Sequence, residues 1–346
     1  MNLFLNLLIL SVFVSGISLN SANIAHILAL TTSAIGLFNV YKSNIKVKYP
    51  PNFLWMIIFL LVLQLSVIFT RNKLLPFYFL LTFIEAVSFW LIFFNSKVDL
   101  SKNIKQIIIG LSLLYSSFYF LTKYTTLNLI QYMRYFYNLI PGPAHQHLGD
   151  LWSIGMILGI NNLPLFILGA FFLIISHSRS AVLSLFVGLI YVFYKNLSKI
   201  NKNLLYLFVV IGILIFIFTG FYKTIFFSRP YYLQSLVGIF YYPLGTGMGN
   251  FSEISNSIGM KYEYLYAPTT YVLNIVLETL SAVGIFCIPF VTWLFLTVRD
   301  VVKRNNRLWT GIFLAITLNF MFDYTYSIPL MMWLWFISLG IAQREN

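Results

Sequence analysis

Apolar runs separated by short polar breaks follow one another along almost the whole chain, and nothing constrains its fold more than that pattern. They fall at 3–19, 23–41, 53–70, 75–95, 104–123, 149–160, 163–177, 179–195, 203–221, 269–297, 308–322 and 327–343. Runs of this length and polarity read as membrane-crossing helices. Charged residues make up 9% of the sequence, where a soluble domain carries about 25%. The expectation is an all-α, polytopic transmembrane bundle of about 12 helices forming a single integral membrane domain over 1–346. No polar stretch is long enough to build a separate soluble domain. No Lys or Arg precedes the first run, so it lacks the charged start of a cleaved signal and reads as a retained helix. Cys287 is the one cysteine, which excludes an intrachain disulfide.

Orientation follows from the basic residues. Lys42, Lys46 and Lys48 follow the second run, Lys97, Lys102 and Lys105 the fourth, and Lys195, Lys199 and Lys202 the eighth. Arg299, Lys303, Arg304 and Arg307 follow the tenth, and Arg344 closes the last. That side holds 14 of the 22 Lys and Arg residues. The positive-inside rule makes it cytoplasmic, with both termini, in a cell (inner) membrane. The formal charge of +13 is thus a property of loops facing a bilayer, and no nucleic-acid partner is implied.

On the other side lie Arg71 and Lys73, a loop at 124–148, a polar joint at Ser176–Ala181, and a large loop at 222–268 between the ninth and tenth helices. Loops that long are usually functional. The apolar stretch Leu163–Tyr194 would be roughly 48 Å long as one helix, against a hydrocarbon core of about 30 Å. It therefore reads as two helices joined at Ser176-His177-Ser178-Arg179-Ser180-Ala181. Arg179 there either snorkels to water or meets an anionic ligand such as a phosphate.

The first long loop contains a stretch at 128–140 that can lie as an interfacial helix or pack as an ordinary loop. It ends in His145-Gln146-His147-Leu148-Gly149-Asp150. His-x-His beside an Asp is half a metal site, but no further His or Cys cluster on that side completes it, and no metal or cofactor is expected. The remaining readings are a general base or hydrogen-bonding site, or Asp150 capping the sixth helix. In the second long loop Gly245, Gly247 and Gly249 alternate, which lets backbone amides approach an anion. Glu253 and Glu263 follow among tyrosines, a composition suited to sugar hydroxyls and equally to a membrane interface. Asn274 and Glu278, four residues apart, should share a helix face turned into the bundle. Glu85 is a similar intramembrane acid without an obvious partner in the sequence.

With these residues in view, the chain resembles the O-antigen ligase and polymerase superfamily of membrane enzymes. The resemblance runs from His145 onward. It rests on Ser178-Arg179-Ser180-Ala181 after an apolar helix, Arg229-Pro230 opening the large loop, and Pro243-Leu244-Gly245-Thr246-Gly247-Met248-Gly249-Asn250-Phe251 within it. Leu277-Glu278 with Val283-Gly284-Ile285, and Phe322-Asp323 ahead of the last helix, are also similar. The resemblance implies transfer of a glycan from a polyprenyl (undecaprenyl-type) diphosphate carrier to a glycan or glycolipid acceptor hydroxyl. It also implies an extracytoplasmic, inverting and metal-independent reaction. In that reading Arg179 and Arg229 neutralise the diphosphate, and Arg71, Lys73, Asp150, the three glycines, Glu253, Asn274 and Glu278 line the substrate.

One departure stands out. The family places a His-Asn pair after the large loop, with the His as proposed base, and here the pair is Leu273-Asn274. His147, which Asp150 can orient, and His145 are the first replacements, followed by Glu253 and Glu263. A flippase or transporter for the same lipid-linked glycans, and an inactive glycolipid-binding member, are the rival readings.

Overall fold

The computed structural model describes residues 2–15, 22–43, 47–96, 99–124, 145–197, 230–262 and 269–344. The ninth apolar run, the stretch at 128–140, Arg229 and Glu263 lie outside the described residues, as do the side chains of His145 and His147.

Every regular element among the described residues is helical. In chain order these are α1 (Asn2–Ser15), α2 (Ala22–Lys42), α3 (Phe53–Phe69), α4 (Leu74–Asn95), α5 (Ser101–Tyr124), α6 (His145–Leu158) and α7 (Leu163–Ser176). Then come α8 (Arg179–Leu197), α9 (Pro230–Tyr241), α10 (Phe251–Lys261), α11 (Ile275–Val283), α12 (Ile288–Val302), α13 (Arg307–Phe322) and α14 (Pro329–Gln343). Single 3-10 turns occupy Gly284–Cys287 and Thr325–Ser327.

The helix borders follow local chemistry. Asn162 caps α7 by accepting from the Leu165 amide at 3.2 Å, and α7, α12 and α14 each have a proline in the first turn, where no intrahelical N–H is lost. One border departs from the expected unbroken helix at 269–297. The chain stays non-helical until Asn274 and breaks again at Gly284, whose φ of 58° no ordinary side chain adopts readily. A Cβ at Gly284 would lie 1.9 Å from the Pro243 carbonyl oxygen. The large loop also carries structure of its own, α9 and α10.

Three helical runs, Asn23–Lys42, Leu74–Asn95 and Ile275–Val302, are long and apolar enough to cross a membrane, the last with the Gly284 break inside it. Several shorter apolar helices accompany them. Large apolar side chains also face outward: Phe69 is 79% exposed, Ile174 72% and Phe240 84%. A surface of that kind is stable only against another apolar phase.

Packing runs as a series in which α2 lies on α4, α4 on α14, α14 on α13, α13 on α8, and α8 on α6. Helix α1 leans on α2, α5 and α7 on α6, and α12 on α3. Glycines allow close approach at two of these contacts: a Cβ on Gly340 would come 2.9 Å from the Trp90 carbonyl oxygen between α14 and α4, and one on Gly311 would come 3.0 Å from the Gly188 carbonyl oxygen between α13 and α8. The centre is aromatic: Trp90, Trp293, Trp333, Trp335, Phe290 and Phe336 are fully buried. Trp293 stacks on Phe336 at 5.3 Å, and Trp335 meets Trp293 edge-on at 5.3 Å. Three buried indoles donate to side chains, Trp90 to Gln343 (2.9 Å), Trp335 to Thr317 (2.8 Å) and Trp152 to Ser116 (2.6 Å), whereas the buried Trp293 Nε1 meets no acceptor among the described residues.

A second, smaller core of Phe251, Ile254, Ile258 and Val272 ties α9 and α10 to α11 as a cap. The bundle therefore has two unlike ends. At one, Gln343 donates to Asp300 (2.9 Å), Arg304 pairs with Asp300 (3.1 Å) and Arg344 with Asp99 (3.1 Å). Phe4 lies against Phe93 near that end, so the described N- and C-terminal segments share it. The other end carries the cap, the turn from α3 to α4, and the joint from α7 to α8.

Candidate functional site

At the cap end, α7 stops at Ser176 because His177 turns left-handed, with φ 49° and ψ 20°. Ser178 then begins the next helix by accepting from the Ala181 amide at 3.2 Å. The joint sits against α6, where a Cβ at Gly149 would lie 2.2 Å from the Ser176 hydroxyl, so only glycine fits. That contact brings Asp150 under the joint. The Ser178 hydroxyl donates to Asp150 Oδ1 (3.2 Å) and lies 3.1 Å from the Ser180 hydroxyl, and Ser180 donates to Asp323 Oδ2 (3.1 Å). Asn319 Nδ2 donates to Asp150 Oδ1 at 2.6 Å, Thr325 donates to the side-chain oxygen Oδ1 of Asn319, and the Tyr324 amide donates to Asp323 Oδ1 at 2.7 Å. Asp150, Asp323, Asn319 and Ser178 are all buried.

Arg179 stands between the two serines and is exposed. It opens α8, at the helix end where the backbone dipole already favours negative charge, so it adds nothing to helix stability there. What the position does offer is an anion seat: a guanidinium beside a helix N-terminus, held from behind by two serine–carboxylate contacts.

The glycine segment is built differently from expectation. The Gly245 amide donates to the Tyr242 carbonyl (2.9 Å), Gly247 to Ala282 (2.9 Å) and Gly249 to Glu278 Oε1 (2.9 Å). All three glycines have positive φ, 78°, 89° and 84°. Their amides are consumed inside the protein, which corrects the expectation that they face an anion. The segment Pro243–Asn250 is a strap that fastens the cap to the bundle. Glu278 is its buckle, fully buried, with Oε2 accepting from the Val272 amide (3.0 Å) and the Tyr326 hydroxyl (3.2 Å). From the strap, Asn250 Nδ2 donates to Thr70 Oγ1 (3.0 Å) and to the Asn72 carbonyl (2.8 Å). The strap thereby fixes the turn that holds Arg71 and Lys73, both exposed.

A tyrosine pair joins the two networks. Tyr271, close to Glu278, stacks on Tyr324 with ring centres 5.8 Å apart and planes 1° from parallel. Burial, then the nearby Glu278 charge, pushes the Tyr271 phenol up to about 12. Burial, then Asp323 and Asp150, raises Tyr324; burial, then Glu278, raises Tyr326 well above the usual range. All three stay neutral at physiological pH, and Tyr326 donates to Glu278.

Asn274 is not on a helix face with Glu278. It caps α11, accepting from the Val276 and Leu277 amides at 3.0 Å each, and donates to the Met321 carbonyl at 3.0 Å. Leu273, at the position of the absent His, has φ 58°, and its carbonyl accepts from Tyr232 at 3.3 Å. That position lies one residue from the Met321 contact and two from the Tyr271–Tyr324 stack. Asp150 does not cap α6, which starts five residues earlier at His145. Glu253 sits half-buried in the first turn of α10. The structure thus gathers Arg71, Lys73, the strap glycines, Asn274, Glu278, Asp150 and Arg179 at one end of the bundle.

Sequence reasoning missed a further pair. His26 Nδ1 lies 2.9 and 3.0 Å from the two oxygens of Glu85, and Trp333 donates to Glu85 Oε2 at 3.1 Å. Glu85 therefore has two partners, one 59 and one 248 positions away in the chain. Among the described residues, no group of three or more His, Cys, Asp or Glu is arranged to hold a metal ion. No protein-family model matches the chain, and no curated protein sequence does.

Proposed function

We propose that the chain is a membrane glycosyltransferase of the O-antigen ligase/polymerase type. It moves a glycan from a polyprenyl diphosphate carrier to an acceptor sugar hydroxyl in cell-surface polysaccharide synthesis. The observation that carries this reading is the Ser178-Arg179-Ser180 joint: two serines tied to buried acids, with the arginine between them turned outward at the start of α8. The carrier tail lies along the apolar flank of the bundle and the head group at the cap end. There Arg179, with Arg229 as its expected partner, takes up charge that develops on the departing diphosphate. Arg71 and Lys73, on a turn pinned by the strap, extend the cationic surface. The cap end faces away from the cytoplasm in this reading, and the termini face into it.

The second reading, a transporter for the same lipid-linked glycans, is favoured by one observation, the buried His26–Glu85 pair halfway along α4. Deleting the gene separates the two. Loss of a transferase leaves undischarged lipid-linked glycan accessible to an impermeant glycosidase on intact spheroplasts. Loss of a transporter leaves the same glycan protected.

A further inference from the structure

We infer that Asp323, reached through the Ser180 hydroxyl and held in a row with Ser178 and Asp150, is the proton acceptor of this site. The inference rests on the transferase reading and supplies the base that Leu273 cannot be.

Four oxygens stand in a row: Asp150 Oδ1, Ser178 Oγ, Ser180 Oγ and Asp323 Oδ2, with separations of 3.2, 3.1 and 3.1 Å. They come from three elements, α6, the α7–α8 joint and the end of α13. Burying two acids at the two ends of one hydroxyl pair is an expensive way to bridge helices, because like charges repel and each loses its hydration. Amides or further hydroxyls would bridge as well without that cost. The arrangement suits a short relay at its open end, since Ser180 can accept a proton from its half-exposed side while giving its own to Asp323.

Neighbouring groups hold the row in place. Asn319, on α13, holds Asp150. The Tyr324 amide holds Asp323, and the Tyr324 phenol, raised by both acids, stays neutral. Tyr326 lies near Asp323 and hydrogen-bonds Glu278. Arg179 stands on the solvent side, next to Ser180, the half-buried member of the row. An acceptor sugar approaching Arg179 therefore meets Ser180 first.

The step balances. The acceptor oxygen forms its bond to the anomeric carbon as the bond from that carbon to the diphosphate oxygen breaks. The acceptor proton passes to Ser180 while Ser180 gives its own to Asp323. The electron pair of the broken bond leaves with the lipid diphosphate, whose charge Arg179 receives. Asp150 accepts from Ser178 and keeps the row oriented. Ser180 touches substrate in this scheme, Asp323 is the terminal acceptor, and Asp150 and Ser178 are positioning residues.

The test uses membranes from a host lacking the gene, complemented with full-length variants, and polyprenyl diphosphate-linked glycan extracted from that host as donor. Asp323→Asn should lower turnover by about 10²-fold or more, the contribution of a positioned base, with the donor KM within about twofold of wild type. Asp323→Glu should recover at least about a tenth of wild-type turnover, since it restores the carboxylate. Ser180→Ala, at a half-buried position that leaves the fold intact, should lower turnover about 10-fold with KM unchanged. Near-normal turnover of Asp323→Asn alongside an active wild type overturns the relay and leaves the transferase reading standing. So does a loss that appears as raised KM and is not recovered by Glu. Absence of transfer from the wild type overturns both.

Discussion

Glu278 and the Asp150–Asp323 pair are both buried acids at the same end of the bundle, and they are satisfied in opposite ways. Glu278 accepts from two backbone amides and one phenol, each supplied by a different segment. Backbone donors do not move and do not exchange protons readily, so that carboxylate is a fastening. Asp150 and Asp323 each accept from an amide, that of Asn319 or of Tyr324, and each also meets a serine hydroxyl, which rotates and both gives and takes protons. One acid holds the cap on; the other two sit under the exposed arginine. The difference teaches that two sets of buried acids at one end of a bundle can be held by different kinds of donor, one set by fixed amides and a phenol and the other partly by hydroxyls.

The largest expected effect tests the fastening. Glu278→Ala leaves the Gly249 and Val272 amides and the Tyr326 hydroxyl without their acceptor in a buried place. Orphaned buried donors cost about 1–3 kcal/mol each, so with three of them a loss of at least about 3 kcal/mol is expected. Thermal unfolding in detergent should show a clear fall in Tm, and proteolysis should release the cap first. A Glu278→Ala protein with wild-type stability would remove the distinction between the two sets of acids.

Next comes the turn the strap grips. Gly284→Ala places a Cβ 1.9 Å from the Pro243 oxygen at a φ of 58°, and the adjacent Ile285 amide bond to that same oxygen (3.0 Å) is lost as the chain shifts. A cost of about 2–3 kcal/mol is expected, from overpacking and backbone strain together. It should appear in the same melting assay, with no change in glycan-donor KM if the strap is structural only.

Alkaline titration sharpens the comparison from another side. The folded values of Tyr271, about 12, and of Tyr326 lie above the ordinary value of 10.0. The unfolded chain therefore gives up these protons first, and stability falls as pH rises from about 10 towards 12. Tyr326→Phe removes one of the two groups, so the fall in Tm over that range should be shallower in the variant.

The smallest effect concerns position 273. A leucine with φ 58° is strained, whereas His and Asn tolerate that region better. Leu273→His should change stability by less than about 1 kcal/mol, because relief of left-handed strain offsets the lost apolar side chain. A large destabilisation would mean that the leucine side chain, and not the backbone, holds that corner.

Much of the frame was legible in the sequence, and the reasons are physical. Apolar run length gave the helices, and a polar hexapeptide inside an overlong run gave the α7–α8 joint. The same two signals failed at Gly284, where an apolar run continues across a break that only backbone geometry reveals. The glycines stand out in the sequence, but spacing does not tell whether an amide faces a ligand or an acceptor of its own chain. The site acids were harder. Ser180 meets Asp323 across 143 positions and Asn319 meets Asp150 across 169. Residue type gave Asp150 as a candidate, yet its bridge to Asp323 depends on how α6, α8 and α13 pack. His26 and Glu85 were invisible as a pair for the same reason.

The central claim, that the cap end transfers a lipid-linked glycan with Arg179 facing the diphosphate, is tested most directly by one assay. Transfer is measured in membranes containing wild-type, Arg179→Ala or Arg179→Lys protein at matched abundance. The account predicts loss of about 10²-fold or more for Ala and poor rescue by Lys, since a point charge cannot make the two-pronged contact of a guanidinium. Wild-type transfer by the Arg179→Ala protein would contradict it and leave Arg179 as a side chain that only reaches for water.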